Sequence, residues 1–501
     1  MELLGIDVGT GGTRAVVVDE RGRVISSATA EHAPFASPQT GWAEQDPRDW
    51  WRATVKAVRE VLAQPGVRVD RIACIGFSGQ MHGAVLLDKD REVLRPALIW
   101  CDQRTDPQCR VITEKVGPAR LIALTSNPAL TAFTLPKMLW VRDQEPDLWR
   151  QVRSVLLPKD YVRLRLTGER ATDVADASGT LLFDVAGRRW SNEMLAAIGI
   201  DETILPAVFE SPEITGHVSI DGAAETGLFK GTPVVAGAGD QAAGAVGMGI
   251  VRPGAVSVTI GTSGVVFAAT DRPALDKRGR IHTFCHAVPG RWHAMGVTQA
   301  AGLSLRWFRD RFGVAEHGNL KGNQDPYDFL CEEAATAPPG SDGVLWVPHL
   351  MGERTPHLDP DARAALVGLT SSHTRAHVIR AILEGVAFSL RDTLTIFSEM
   401  SVPVETIRLG GGGARSTLWR QIQADVYRRS VEIVEAEEGA AFGAALLAGV
   451  GGGIWASVDE ACATAVRIRA TIESEPESVR VMDERYQNYQ LIYPALRRLA
   501  Y

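Results

Sequence analysis

Paired cysteines are missing from this sequence. Its six cysteines, Cys74, Cys101, Cys109, Cys285, Cys331 and Cys462, are scattered with no CxxC spacing and no histidines at zinc-ligand distance. That excludes a disulfide framework and a structural zinc, and fits free thiols in a reducing compartment. No apolar run approaches the roughly eighteen residues that a membrane helix needs. No basic cluster accompanies the net charge of −7, so neither nucleic acid nor an anionic membrane is an expected partner. The opening MELLGIDVG is strand-like and has no charged or apolar leader segment, so a cytoplasmic location is expected. A GxxxxGK[ST] run is also absent, which excludes a P-loop.

What is present is length and a repeat. A chain of 501 residues with 45% hydrophobic content exceeds one ordinary core, and two domains of roughly 250 residues each are the natural division. IDVGTGGTRAVVV begins at Ile6 and VTIGTSGVVFAAT at Val258, half a chain apart. Each reads as an apolar strand, a Gly-Thr turn and a second strand, which is a hairpin with a small-residue tip. GDQAAGAVG from Gly239 and EEGAAFGAALLAG from Glu437 both read as small-residue helices that follow a β-rich segment. The chain reads as duplicated.

The first half predicts strands at 3–8, 12–18 and 23–30, a helix at 47–63, and strands at 71–77, 83–88 and 233–236. The second predicts a hairpin at 255–269, strands near 281–297, helices at 299–312 and 374–399, a strand at 405–410, a helix at 416–428, a strand at 431–434 and a helix at 440–449. A last amphipathic helix is expected at about 482–499. Antiparallel strands followed by α/β crossovers indicate an α/β fold with mixed sheets.

A Gly-Thr tip offers backbone N–H groups and a hydroxyl to an anion with no Cβ in the way. Two tips, Gly9-Thr10-Gly11 and Gly261-Thr262, could hold one polyphosphate between them. Asp7 precedes the first tip, where the second has Thr259. An acid beside a phosphate is disfavoured unless a cation lies between, so Asp7 is read as a Mg²⁺ residue acting through water. Asp240 stands alone among glycine and alanine in GAGDQAAGA, a helix-start acid that could serve as a base or as an N-cap. Gly237, Gly239 and Ala242 formally fit a dinucleotide fingerprint, yet the acid sits where a pyrophosphate would lie, and no second acid follows at the expected distance. GFSGQ from Gly76 lacks the fifth glycine of a nucleophile elbow and no triad is visible, so Ser78 is read as structural.

Taken together, ALVGLTSSHTRAHVIRAILEGV from Ala365 and TLPKMLWVRDQ from Thr134 resemble the two signatures of the FGGY carbohydrate kinases over essentially the whole chain. The resemblance implies the duplicated ribonuclease H-like fold of actin, hexokinase and Hsp70, two domains around a central cleft. Residues 1–246 would be the sugar-binding domain with the first tip and the catalytic acid, and residues 247–501 the nucleotide-binding domain. GQMHG (Gly79 to Gly83), LIWCDQRT from Leu98 and HLMGERTPHLDP from His349 are similar to family members acting on the ketopentose D-xylulose. The implied reaction is transfer of phosphate from Mg²⁺-ATP to D-xylulose, with ribulose, glycerol or another short ketose or polyol as alternatives. A non-catalytic actin-like ATPase or sugar-sensing module is the reading from another class.

By the same resemblance Asp240 and Asp7 are the catalytic acids, Asp240 accepting the hydroxyl proton. Gln80, Met81, His82 and Gln241 would sit at the sugar with Asp240. Gly9, Thr10, Gly11, Gly261 and Thr262 would line the phosphates. Gly411, Gly412, Ala414 and Ser416 would take the adenosine, Ser416 also capping the next helix. Trp100, Asp102 and Arg104 are read as lining or buttressing the sugar cleft, the Gly352 loop as an interdomain contact, and Asp173 and Asp176 as shaping a loop. A homodimer is compatible with this reading.

Overall fold

The computed structural model describes residues 1–313 and 325–499. Its two large sheets repeat one pattern of strands. In the first, Val24–Glu31, Gly12–Asp19 and Glu2–Val8 form an antiparallel meander; Ile72–Gly79 and Pro233–Val235 add in parallel, and Ile214–His217 closes the edge antiparallel. In the second, Trp292–Thr298, Gly264–Thr270, Gly254–Ile260, Val404–Gly411, Val431–Val434 and Ile468–Ile472 repeat that series of directions, with His282–Cys285 as an added edge. The duplication read from the two Gly-Thr hairpins is therefore a duplication of whole sheets. This is the actin- and hexokinase-type α/β architecture.

The predicted elements lie close to the observed ones, with two instructive differences. The last helix runs Pro476–Leu496, six residues earlier than its apolar periodicity suggests. Proline is at home in a first helical turn because the N–H it lacks has no partner there, and Pro476 opens the helix. The helix expected from 299 starts at Ala301, since Gln299 and Ala300 turn the chain out of the preceding strand.

Between strands Ile72–Gly79 and Pro233–Val235 lies a long insertion. It carries the helices Thr134–Gln144 and Pro158–Thr167 and short strand pairs such as Val85–Leu87 with Ser154–Leu156. One apolar cluster joins it to the second half, running from Met81, Phe133 and Leu182 to Phe267, Phe284 and Met295.

The halves are not merely adjacent. Helix Gly439–Gly451, late in the chain, lies on the first sheet: a Cβ on Gly5 would fall 2.0 Å from the Ala441 carbonyl, and one on Gly76 2.0 Å from the Ala444 carbonyl. Only glycine in the two central strands lets a helix backbone come so near. No helix among the described residues is long and apolar enough to cross a membrane, and all six cysteines are free thiols.

Candidate active site

Two cavities adjoin, the larger between the sheets and the smaller within the second half. The larger, about 510 Å³, has Asp7, Asp240 and Gln241 on one side and Thr259, Gly410 and Gly411 on the other. The smaller, about 290 Å³, is lined by Gly261, Thr262, Leu305, Tyr327 and Ser416. Gly412 and Arg415 line both, so the two form one channel. Asp7 and Thr259 occupy the same place in their hairpins, two residues before the tip glycine, and they meet across the larger cavity.

Asp7 stands near the end of strand Glu2–Val8, in register with Ser78 on one neighbour and Arg14 on the other. Its Oδ1 is buried and unpartnered. Burial raises its pKa, and the Ser78 hydroxyl and the Arg14 charge draw it back in part. Asp240 is the first residue of helix Asp240–Gly247, whose cap is Gly239 with no side-chain hydrogen bond. The N-cap alternative therefore does not apply to Asp240. Burial, and then the negative charge of Asp7, push its carboxyl up to about 7, against the opposing effect of Gln241.

The tips owe their shape to how their carbonyls are held. In the first, the Thr10 carbonyl accepts from Gln45 at 2.8 Å and the Gly11 carbonyl from the His32 amide at 3.0 Å. In the second, the Gly261 and Thr262 carbonyls accept from the Gly302 and Leu303 amides at 2.9 and 3.1 Å, the start of helix Ala301–Phe312. With the carbonyls so engaged, the amides of Thr10, Gly11, Thr262 and Ser263 donate to nothing within the described residues. A turn that spends its acceptors internally and keeps its donors free suits an anion. Gly9, Thr10 and Gly11 do not line either cavity. Thr10 instead donates to Gln80 at 3.2 Å and accepts from Trp100 Nε1 at 3.0 Å.

Gln80 donates to Gln45 at 2.9 Å, so its amide supports the first tip rather than facing open cleft. Met81 packs beside Gly239, the residue before Asp240: a Cβ on Gly239 would lie 2.8 Å from Met81 Cγ. His82 has φ +70, a left-handed backbone unusual for a residue with a side chain. Its ring Nδ1 lies 2.8 Å from the Gly179 carbonyl, so Nδ1 carries the proton and Nε2 is left as an acceptor. Burial and then Lys137 push its pKa down to about 3, keeping the ring neutral.

Sequence reasoning passed over Lys137 and Lys159. Lys137, inside the TLPKMLWVRDQ segment, is fully buried; it donates to the carbonyls of His82 (3.2 Å), Phe133 (3.1 Å) and Ala132 and so holds the strained His82 backbone. A lysine among buried apolar neighbours was the available signal. Asp173 and Asp176 do more than shape a loop. With Asp160 they enclose buried Lys159 at 2.6 Å (Asp160), 2.7 Å (Asp173) and 3.5 Å (Asp176), and the same segment supplies the Gly179 carbonyl to His82. Asp102 and Arg104 buttress: Arg104 pairs with Asp102 and Glu44 at 2.7 Å each and stacks 3.6 Å over Trp42. In the second half Ser416 caps helix Thr417–Tyr427 through Trp419 N–H. The Gly352 loop binds its own half, with the Thr355 amide donating to Val297 at 3.0 Å.

A duplicated actin- and hexokinase-type fold, with two acids and a glycine-lined channel in the cleft between its sheets, defines a phosphotransferase. Residues 2–247 match the N-terminal domain of the FGGY family of carbohydrate kinases, and residues 256–452 its C-terminal domain. The chain belongs to that family and is a carbohydrate kinase, with ATP as its phosphoryl donor. Xylulose kinase of Bacillus subtilis is 40% identical over 491 residues, 98% of this chain and 96% of that protein. Gluconokinase of the same organism is 34% identical over 448 residues, 89% and 86% of the two chains. The crystal structure of xylulose kinase from Rhodospirillum rubrum superimposes with a TM-score of 0.89 at 30% identity, covering 99% of each chain.

Proposed function

We propose that this kinase phosphorylates D-xylulose at its terminal hydroxyl to give D-xylulose 5-phosphate. The observation that carries the kinase chemistry is the meeting of Asp7 and Asp240 with Thr259 and Gly410–Gly411 across one cavity. The ketopentose is favoured by the near full-length similarity to xylulose kinase and by Met81, the neutral His82 ring and Gln241 on the sugar side.

In this reading residues 1–246 hold the sugar and residues 247–501 the nucleotide. The adenosine lies where the two cavities join, against Gly411, Gly412, Ala414 and Ser416. The polyphosphate lies between the two tips, lined by Gly9, Thr10, Gly11, Gly261 and Thr262, with the free amides of Thr10, Gly11 and Thr262 as its donors. A carboxyl near 7 is matched to accepting a proton at neutral pH; Asp240 takes the proton of the hydroxyl as its oxygen attacks the terminal phosphorus in line. The buried, unpartnered Oδ1 of Asp7 fits a Mg²⁺ ion that keeps most of its water, as that ion prefers. Such an ion, bound with ATP, would neutralise charge on the transferring phosphate. No cluster of three or more metal-ligating side chains exists among the described residues, which accords with a cation held largely by the nucleotide.

An ADP-release assay over D-xylulose, L-ribulose, gluconate and glycerol tests the assignment. The expected result is the highest kcat/KM for D-xylulose. A higher value for another member replaces the sugar and keeps the kinase; no ADP release with any of them overturns the substrate class.

A further inference from the structure

The segment HLMGERTPHLDP lines neither cavity, yet it is tightly held. Glu353 is fully buried and accepts from the Gln299 amide at 3.0 Å, His349 Nδ1 at 3.1 Å and the Arg354 amide at 2.8 Å. Thr355 is also fully buried; its hydroxyl donates to the Arg280 carbonyl at 2.8 Å and accepts from the Val297 amide at 3.1 Å. Arg354 is thus clamped on both sides. Its guanidinium makes no hydrogen bond or ion pair among the described residues; Arg354 is half-buried, and none of its nitrogens is among the buried atoms left without a partner, so they stay open to water. An arginine held in place by its neighbours on both sides, with its five N–H bonds unspent on protein, is a donor set ready for a ligand that displaces its water.

Its surroundings show where that ligand lies. The clamp at Arg280 is two residues before His282, whose ring is 5.7 Å from Phe133 and 5.7 Å from Phe284; the His82 ring is 5.0 Å from Phe133 and 6.2 Å from Phe284. These four rings form one box, with His82 and Phe133 from the first half and His282 and Phe284 from the second. The charge of Arg354 is felt at His82, His282 and Lys137. No carboxylate other than Glu353 answers it.

We propose that Arg354, reaching from the nucleotide half, is a sugar-binding and specificity-determining residue that donates to the keto oxygen of the substrate opposite His82. This rests on the ketose reading above. A guanidinium donates only, and the carbonyl oxygen is the one atom of an open-chain ketose that accepts only. The hydroxyls can be served by acceptors such as His82 Nε2. A site with a dedicated donor discriminates against an analogue that lacks the matching acceptor, because the donor then loses its partner.

The test compares D-xylulose with xylitol, its polyol, in wild type, Arg354→Met and Arg354→Lys, with melting temperatures recorded alongside. In Arg354→Met the KM for D-xylulose should rise roughly tenfold to a hundredfold, the preference for ketose over polyol should fall by a similar factor, and the KM for ATP should stay within about twofold. Arg354→Lys, which keeps the charge and loses the fork, should fall between. An unchanged sugar KM in Arg354→Met, or sugar and ATP KM rising together with a lowered melting temperature in both variants, overturns the role of Arg354. Wild-type enzyme that turns over no ketose removes the substrate reading first, and the role of Arg354 with it.

Discussion

Gly443 meets Ala243 at the crossing of two helices: a Cβ on Gly443 would lie 1.8 Å from the Ala243 carbonyl oxygen and 3.0 Å from the Gly247 amide. Helix Asp240–Gly247, which begins with the candidate base, therefore touches helix Gly439–Gly451 backbone to backbone. The separation between the halves is set by the absence of one carbon atom.

Gly443→Ala should push the helices apart and carry Asp240 with them. The expected outcome is a melting temperature several degrees lower, as for an overpacked core, and kcat reduced by about tenfold or more through misplacement of the base. Thermal unfolding and steady-state kinetics of the single variant check this. Wild-type kcat in Gly443→Ala would show that the crossing has no bearing on the base.

Asp240→Asn separates catalysis from stability. The carboxyl sits near 7 in the folded protein, above its ordinary 3.8. The stability this group contributes is therefore full below about 4 and lost as pH rises through about 7. The Asn variant escapes that loss: its melting temperature should exceed wild type by about 2 to 4 °C at pH 8, and the gap should close as pH falls toward 4. Its kcat should drop by about a hundredfold or more, while wild-type kcat should decline below pH 7 as the base takes up its proton. A variant less stable than wild type at pH 8 would contradict the buried, raised carboxyl.

The tips allow a test in which the fold is spared. A Cβ on Gly11 meets nothing within 4 Å, and one on Gly261 meets only the Ser263 carbonyl at 3.7 Å. Gly11→Ala and Gly261→Ala should leave the melting temperature within about 2 °C. If the free amides cradle phosphate, the added methyl groups should raise the KM for ATP by about tenfold while the sugar KM stays put. Unchanged nucleotide kinetics in both variants would reduce the tips to ordinary hairpins.

Local features of the site were legible in the sequence because their chemistry is local. A Gly-Thr turn between two apolar strands reads as a hairpin wherever it occurs, and its recurrence at half-chain spacing exposed the duplication. Asp240 stood out because nothing near it in sequence could neutralise it. Features made by distant segments were not legible. Lys159 is balanced by Asp173 and Asp176 across a helix and a strand, and three acids and a lysine in one sequence are ordinary until they share a dry pocket. Gln80 looked like a sugar residue beside Met81 and His82, but the strand ends at Gly79 and the chain bends there, so that its amide reached Gln45 and the first tip. Nothing in LLGIDVG says that Gly5 awaits a helix from beyond residue 438.

That last contact bears on how the polypeptide matures. Helix Gly439–Gly451 covers the central strands Glu2–Val8 and Ile72–Gly79, and it emerges from the ribosome long after both strands have been made. Until then one face of the earliest sheet stays bare, with Leu3, Cys74 and Val235 open to water or to a chaperone. The N-terminal portion cannot finish its core during synthesis, so a nascent chain stalled before residue 439 should remain protease-sensitive throughout, and the last helices serve as the latch that closes the first sheet.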